Sequence, residues 1–374
     1  MVIKNAKVFR ESGNFEFGDI IMSGECFSDF TDGREVLDAS GCYAIPGLID
    51  IHFHGCVGYD FSVASEEELA EMARYQASNG TTAICPATLT LPEEKLARAC
   101  RRIATLNDPD GAEVVGIHLE GPFLSYNKRG AQNPDHLLLP DDGLVRRLQK
   151  EASGLIKIIA LAPELPGAME FIEKMNSEIC CSLAHTEAGY ETALEAFRRG
   201  ARHVTHMFNG MPPFHHRDTG VIGAAIETLD CFGELICDGI HVSPSMVRAA
   251  FSLFSDDRII IISDSLMAAG MAEGVWELGG LKVNVRDGAA YLADSDTLAG
   301  SISPLMECVR IVVNKIGIPL ESAVKCASAN PAKAIGIYDK RGSITSGKIA
   351  DLVLLNEDLS ISKVFLKGKP LTHH

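Results

Sequence analysis

The feature that most constrains the fold is a series of eight short apolar runs separated by longer amphipathic segments. Near-continuous apolar runs are typical of parallel strands, because helices then cover both faces of the sheet. Eight such units predict an α/β fold, a (β/α)8 TIM barrel. Because periodicity does not show closure, an open α/β sheet is the alternative. The runs are Cys42–Ile51, Thr81–Leu89, Val114–Leu119, Ile156–Ala162, Ile179–Leu183, His203–Phe208, Leu235–Cys237 and Arg258–Ile262.

The segments between these runs carry the signals with which helices begin and end. Ser65 followed by Glu68 is a capping-box pattern ahead of an apolar stripe. Tyr190–Arg199 is amphipathic, with arginines in its last turn and Gly200 just after it. Both patterns predict helices between the strands.

The two ends of the chain have a different pattern, with short alternating segments and no long helical stretch. The N-terminal segments are Val2–Phe9, Gly18–Met22 and Val36–Asp38, and the C-terminal ones are Ala350–Leu355 and Ser362–Leu366. Two β-rich ends that flank one barrel predict a small β-sandwich domain made from both. We therefore expect residues 1–46 and 345–374 to form this domain and residues 47–344 to form the barrel.

The charge and the cysteine pattern exclude several classes of partner. A formal net charge of −16 argues against nucleic acid or an anionic membrane as a partner. The N-terminus lacks the apolar core of a secretion signal, and no apolar run reaches the roughly 20 residues of a membrane span. The 11 cysteines include no CxxC pair, which is typical of free thiols in a reducing compartment. We therefore expect a cytoplasmic protein.

Polar residues at the ends of the predicted strands indicate a metal site, because the active face of such a barrel lies at the carboxyl ends of its strands. His52 and His54 are two residues apart on a strand, so that both imidazoles point to one face and can share a divalent ion. Imidazoles and carboxylates without thiolates favour zinc or ferrous iron. The other residues of this kind are Glu120, His185, His206 and Asp264.

Asp264 is the candidate for proton transfer. It follows the isoleucine-rich run Ile259–Ile262, where a carboxylate lies near the metal and is partly removed from water. Such a group can take a proton from an activated water and return it to a leaving group. A helix N-cap is the alternative role for Asp264. We expect His118 to lie deeper, as a hydrogen-bonded core histidine, and we give His373 and His374 no weight.

Longer motifs identify a family. The run PGLIDIHFHG (Pro46–Gly55) and the C-terminal GKIADLVLLNEDLSISKVFLKGK resemble the metal-dependent amidohydrolase superfamily. Seven further motifs together resemble its N-acetylglucosamine-6-phosphate deacetylases. They are HLEGPFLSYNKRGAQNP (His118–Pro134), LAPE (Leu161–Glu164), SLAHTEAGY (Ser182–Tyr190), VTHMFNGMPPFHHR (Val204–Arg217), DGIHV (Asp238–Val242), SDS (Ser263–Ser265) and TLAGS (Thr297–Ser301).

The resemblance implies a metal site and its chemistry. Glu120, His185 and His206 would bind the principal ion, and His52 and His54 would support a second ion. One or two divalent ions per subunit are expected, Zn²⁺ or Fe²⁺ first and Mn²⁺ or Co²⁺ next. Asp264 would act as general base and then as general acid. The implied reaction is hydrolysis of the acetamide of N-acetyl-D-glucosamine 6-phosphate to D-glucosamine 6-phosphate and acetate, in amino-sugar catabolism.

The resemblance also implies the residues that bind the phosphosugar. Asn209 and the Gly210 backbone N–H would receive the phosphate, with His241 beside it. Arg217 would reach a phosphate in the neighbouring subunit, which implies a homodimer. Leu298, in TLAGS, is likewise assigned to substrate binding.

Gln132 stands where the family often has a histidine that helps to polarise the acetamide carbonyl. Glutamine donates a hydrogen bond but does not become cationic. We assign Gln132 to substrate binding and expect the metal to do more of the polarisation.

Three other functions stay open. Dihydroorotases and hydantoinases bridge two metals with a carboxylated lysine at the end of the fourth strand, whereas Ala160–Glu164 contains no lysine. A non-enzymatic relative would have lost metal ligands, which this chain retains. Preference for N-acetylgalactosamine 6-phosphate depends on a few loop atoms that the sequence does not place. The strand-rich segment Glu273–Asp296 is either a surface hairpin or a flap over the sugar.

Overall fold

A computed structural model describes residues 1–30, 33 and 35–372 of the chain. The terminal His373 and His374 lie outside the described residues. The strands are, in chain order, β1 (Val2–Phe9), β2 (Phe15–Ser23), β3 (Cys26–Ser28), β4 (Val36–Asp38), β5 (Tyr43–Pro46), β6 (Leu48–Asp50), β7 (Gly55–Cys56), β8 (Tyr59–Asp60), β9 (Thr81–Ile84), β10 (Ala87–Thr88), β11 (Glu113–Val114), β12 (Ile117–Glu120), β13 (Ile156–Leu161), β14 (Cys180–Leu183), β15 (His203–Val204), β16 (Phe232–Ile236), β17 (Ile259–Ile262), β18 (Gly274–Leu278), β19 (Leu281–Arg286), β20 (Ala289–Leu292), β21 (Leu352–Leu355), β22 (Ile361–Leu366) and β23 (Lys369–Pro370).

Helices connect the strands of the middle segment. They are α1 (Glu66–Ser78), α2 (Glu93–Thr105), α3 (Asp142–Glu151), α4 (Ala168–Met175), α5 (Tyr190–Arg198), α6 (Gly220–Glu227), α7 (Pro244–Arg258), α8 (Leu305–Ile311), α9 (Leu320–Ala327) and α10 (Ala329–Ala334). Two 3₁₀ turns (Tyr126–Lys128, Pro134–His136) and one π-helical turn (Val312–Ile316) complete them. Both predicted helices are confirmed, since α1 has the reciprocal capping box of Ser65 and Glu68 and α5 spans the expected residues.

The middle of the chain is a barrel of parallel strands, as predicted. Seven strands pair in the order β10, β12, β13, β14, β15, β16, β17, and β6, β9 and β11 continue the wall beside them. The segments that follow the first and last strands are joined by hydrogen bonds, because Asp264 N donates to the His52 carbonyl and His54 N to the Ser265 carbonyl. The ring is therefore closed at the end where the predicted site residues lie. All four residues of β17 are buried, as expected for a strand covered on both faces.

Both ends of the chain contribute strands to one eight-stranded sheet. Its order is β23, β22, β21, β5, β1, β2, β3, and β4 pairs with β1. The contact between the two ends is the antiparallel pairing of β21 with β5, in which Val353 lies opposite Ile45. A separate apolar cluster, which includes Ile3, Val8, Phe27 and Phe365, stabilises this sheet. The boundaries 1–46 and 345–374 stay a prediction.

Eleven cysteines are free thiols, and most of them are buried. Among the described residues, no helix is both long and apolar enough to cross a membrane.

Glu11, in the turn between β1 and β2, joins the N-terminal end of the chain to the segment before β21. Its Oε1 accepts hydrogen bonds from Ser343 Oγ at 2.7 Å, from Tyr338 Oη at 3.2 Å and from Lys348 Nζ at 3.3 Å. The hydrogen bond from Ser343, with smaller effects of Thr345 and Lys348, lowers the pKa of Glu11 from its ordinary value of 4.5 to about 2. The ionised carboxylate therefore stabilises the folded state above pH 4.5.

We predict that Glu11→Gln lowers the free energy of unfolding at pH 7 by about 0.5–1 kcal/mol, because the site is partly exposed to solvent. The difference from the wild type should be lost as the pH falls from 4.5 towards 2, where the wild-type carboxylate becomes protonated. Denaturant unfolding at several pH values measures it. Glu16→Gln is the control, since Glu16 is exposed and lies 3.9 Å from Arg10. An equal effect of both substitutions would contradict the assignment.

Candidate metal centre

The predicted ligands meet at the carboxyl ends of the barrel strands, around a cavity of about 620 Å³. Glu120 is the last residue of β12, and His185 and His206 each follow a strand by two residues. His52 and His54 follow the end of β6 by two and four residues. The barrel therefore brings together side chains that are up to 154 residues apart in the sequence, from His52 to His206.

The first ligand set contains Glu120, His185 and His206. Glu120 Oε1 lies 3.2 Å from His185 Nε2 and 3.1 Å from His206 Nε2, and the two Nε2 atoms are 3.1 Å apart. Ligand atoms about 2.1 Å from a tetrahedral ion lie roughly 3.4 Å from one another. The three atoms thus have the separation of ligands around one ion, and two Nε2 atoms 3.1 Å apart need a proton or a metal cation between them. This donor set fits a divalent metal.

The second set contains His52, His54 and again Glu120. His52 Nε2 lies 3.4 Å from Glu120 Oε1, and His54 Nε2 lies 3.2 Å from Glu120 Oε2. His52 Nε2 is buried and has no hydrogen-bond partner among the described residues. The carboxylate of Glu120 is therefore shared by both sets, which places two candidate ion positions side by side.

Asp264 faces both histidines of the second set. Its Oδ1 lies 3.6 Å from His52 Nε2 and 3.5 Å from His54 Nε2. Asp264 also lines the cavity, so its carboxylate faces both the candidate metal ligands and the open space beside them. This position fits proton transfer better than the alternative role of a helix N-cap.

Three of the site residues have a left-handed backbone conformation. The φ angles are +43° at His185, +29° at His206 and +46° at Asp264. Non-glycine residues in this region cost on the order of 1–3 kcal/mol each and persist only where their surroundings hold them. This turn of the chain directly after the strand directs the side chains into the cavity.

The carboxylates of the site are ionised. Burial alone would raise the pKa of Glu120. The charge of His52 and the hydrogen bonds from His185 and His206 outweigh this effect and hold the pKa well below its usual range. Burial lowers the pKa of His54, but Asp264 and Glu120 raise it to about 10. Positive charge is therefore favoured at this point, and a metal ion would replace the imidazole protons.

The unused ring nitrogens of two ligands are held by acceptors. His185 Nδ1 lies 2.7 Å from the Lys128 carbonyl oxygen, and His52 Nδ1 lies 2.8 Å from Glu234 Oε2. An acceptor at Nδ1 places the proton there and leaves the Nε2 lone pair free for an ion. Both contacts thus orient Nε2 towards the shared carboxylate of Glu120.

Glu234 was not predicted as a site residue. It lies in β16, directly before the apolar run Leu235–Cys237, and is fully buried. A charged residue inside a buried strand was the only signal in the sequence. His118 lies in the core as predicted, with Nδ1 3.2 Å from the Ile51 carbonyl oxygen. Burial and the charge of His52 lower the pKa of His118 to about 3, so it is neutral.

Most of the predicted substrate-binding residues line the same cavity. The Gln132 carboxamide donates to Glu120 and accepts from Thr90 N at 2.7 Å. His241 Nδ1 contacts Asp238 Oδ2 at 2.7 Å. Arg217 is exposed and lines a separate surface depression with Tyr190. The residues on the cavity wall are Gln132, Asn209, Gly210, His241 and Leu298.

The segment after β17 forms a three-stranded antiparallel sheet of β18, β19 and β20. Leu278 and Leu292, at its strand ends, line the cavity together with Asn127 and Lys128. The expected strand-rich excursion is therefore present, and it contributes to the wall of the cavity.

Residues 43–371 match the model of the amidohydrolase family. The chain belongs to this family. It is 37% identical over 373 residues to N-acetylglucosamine-6-phosphate deacetylase of Bacillus subtilis, with 98% of this chain and 93% of the relative covered. The human enzyme of the same name is 34% identical, with 98% and 93% covered.

Solved structures give the same result. N-acetyl-D-glucosamine-6-phosphate deacetylase of Mycobacterium smegmatis, a variant in complex with N-acetyl-D-glucosamine-6-phosphate, superposes with a TM-score of 0.92 at 30% identity, covering 100% of this chain and 99% of that one. The enzyme of Thermotoga maritima superposes with a TM-score of 0.89 at 30% identity, with 100% of each chain covered. The predicted family and fold class are confirmed.

We predict that removal of the metal with a chelator lowers the melting temperature of the protein, and that added Zn²⁺ or Fe²⁺ restores it. An ion that binds only the folded state stabilises it by about 2.7 kcal/mol at a hundredfold excess over Kd. His185→Ala should weaken this recovery, because it removes a ligand, whereas His136→Ala, on a surface turn, should not. Elemental analysis and thermal unfolding measure both. A protein that purifies without metal and shows no response to added ion would contradict the site.

Proposed function

We propose that this chain hydrolyses the acetamide of N-acetyl-D-glucosamine 6-phosphate to D-glucosamine 6-phosphate and acetate, as a step of amino-sugar catabolism. The observation that carries the proposal is the position of Asp264, whose carboxylate faces both the metal ligands and the cavity. The full-length similarity to deacetylases of this specificity supports the substrate. The free buried thiols support a cytoplasmic location.

Glu120, His185 and His206 would hold the principal divalent ion, with His52 and His54 at a second position. When bound, the ion supplies Lewis-acid polarisation of the acetamide carbonyl and acidifies water. Zn²⁺ or Fe²⁺ suits these nitrogen and oxygen donors best, and Mn²⁺ or Co²⁺ follows. Because Glu120 belongs to both ligand sets, the site would hold one or two ions per subunit.

Asp264 carries the proton through the reaction. Burial raises the pKa of Asp264, but the charge of His52 and the hydrogen bond from His54 lower it, so that the carboxylate is ionised and ready to accept a proton. It takes the proton from the attacking water as the water oxygen bonds to the acetamide carbon. It then donates that proton to the amide nitrogen as the C–N bond breaks, and the free amine leaves together with acetic acid, which ionises to acetate.

The phosphate would be bound by local groups, because a net charge of −16 gives an anionic sugar no general attraction. His241 is positioned by Asp238. Burial lowers the pKa of His241, but the hydrogen bond to Asp238 and the charge of that carboxylate raise it above its usual value. Asn209, the Gly210 N–H and Leu298 complete the wall within one subunit. Arg217 would come from a neighbouring subunit, which makes the protein a homodimer.

We predict that Asp264→Asn retains the metal but loses most of the activity, at least a hundredfold in kcat, since asparagine does not accept and return the proton. Acetate release from N-acetyl-D-glucosamine 6-phosphate and elemental analysis measure the two effects. Near-normal turnover by this variant would refute the assigned role.

The galacto epimer is the specificity control for this assay. The proposal expects the wild type to act faster on N-acetyl-D-glucosamine 6-phosphate than on N-acetyl-D-galactosamine 6-phosphate. A strong preference for the galacto epimer would replace the proposed substrate while leaving the chemistry unchanged.

We predict that Arg217→Ala raises KM for the 6-phosphate substrate much more than for the unphosphorylated N-acetyl sugar. The guanidinium contributes a charge-assisted hydrogen bond to the phosphate alone. Steady-state kinetics on both substrates measures the split, and Arg146→Ala, an exposed arginine paired with Glu178, is the control. Equal effects on both substrates would count against the role.

A further inference from the structure

Glu234 lies in the interior of β16, inside the barrel wall next to the metal centre. Its side chain is fully buried. A buried carboxylate is expensive unless several donors compensate for the lost water. The groups that donate hydrogen bonds to Glu234 therefore indicate the role of this carboxylate.

Three donors meet the two oxygens of Glu234. Oε2 accepts from His52 Nδ1 at 2.8 Å and from the backbone N–H of His206 at 3.3 Å. Oε1 contacts His203 Nε2 at 3.0 Å. One carboxylate thus joins a ligand of the second ion set to the backbone of a ligand of the first.

The effect of this contact differs between the two histidines of the second set. His52 has its Nδ1 fixed by Glu234, and its Nε2 faces Glu120 at 3.4 Å. The Nδ1 of His54 is buried and has no hydrogen-bond partner among the described residues. Within the second ion set, Glu234 therefore sets the tautomer and ring orientation of His52.

We propose that Glu234 is a positioning residue that holds His52 with its proton on Nδ1 and thereby enables the chain to bind a second divalent ion. The inference rests on the metal centre of the proposed function and deepens it, since it makes binding of the second ion depend on a carboxylate outside both ligand sets. His203 is the partner that fixes the other oxygen of Glu234.

A purely structural role is the competing explanation, in which Glu234 only compensates His203. Substitution would then lower stability without changing the number of bound ions. The two explanations are separated by counting ions and not by activity alone.

The experiment is calorimetric titration of the chelator-treated protein with Co²⁺, comparing the wild type with Glu234→Met, which removes both acceptor oxygens. We expect two binding steps for the wild type. In the variant the second ion should bind about 10–100-fold more weakly, because loss of a group that orients a ligand has this effect on metal affinity. The affinity for the first ion should change by less than about threefold, since Glu120, His185 and His206 keep their side chains and only the 3.3 Å backbone contact of His206 with Glu234 is lost.

Glu234→Gln is the conservative variant. Its carboxamide oxygen still accepts from His52 Nδ1, while its NH₂ meets His203, which has a second tautomer available. Glu234→Gln should therefore retain more of the second ion than Glu234→Met. If Glu234→Met does not fold, Glu234→Gln decides the question by a selective loss at the second ion, of at least threefold.

Glu113→Gln is the matched control. Glu113 is also a paired carboxylate, 2.7 Å from Arg341 and 2.6 Å from Lys367, and lies away from the metal site. It should change the melting temperature and leave both ion affinities unchanged.

The inference would be overturned by a Glu234→Met variant that binds both ions like the wild type, or by one that loses both ions equally. If Glu234→Met does not fold, the same two results for Glu234→Gln would overturn it. A wild type that binds a single ion would also overturn it. These titrations contain no substrate, so a failure of the proposed deacetylation would show separately, as absence of acetate release by a protein that binds its ions normally.

Discussion

The rest of the site depends on the interaction of the Glu120 carboxylate with the imidazoles around it. Four imidazole Nε2 atoms surround its two oxygens at 3.1–3.4 Å. A buried carboxylate of this kind is stable only when its partners surround it in good geometry. The partners come from β6, β14 and β15, so the barrel must close before the carboxylate is compensated. The fold and the candidate metal centre are therefore energetically linked.

This arrangement requires support from the residues behind the ligands. The left-handed conformations of His185, His206 and Asp264 cost on the order of 1–3 kcal/mol each, which the packed barrel offsets. The carbonyl of Lys128 and the carboxylate of Glu234 fix two imidazole rings. Orientation by such groups gives a metal site its precise geometry, since the ligands themselves can rotate.

The closure of the barrel is also held by a polar contact below the metal site. Asp50, at the end of β6, accepts hydrogen bonds from Ser263 Oγ at 2.5 Å and from His52 N at 3.2 Å. Burial raises the pKa of Asp50 to about 7. The first and eighth strands are thus joined beside the two residues, His52 and Asp264, that face each other in the site.

The sequence alone predicted the alternation of strands and helices, the polar residues at the strand ends and the family. The apolar runs follow from the burial of parallel strands, and polar residues directly after such runs lie at one end of a barrel whichever helices connect them. His52, Glu120, His185, His206 and Asp264 could therefore be predicted from the sequence. Glu234 could not, because a carboxylate inside a strand has meaning only through the donors that neighbouring strands place around it. The tertiary structure also decided that Gln132 contacts Glu120 and that Arg217 lies outside the cavity, since both depend on loop paths that periodicity does not describe.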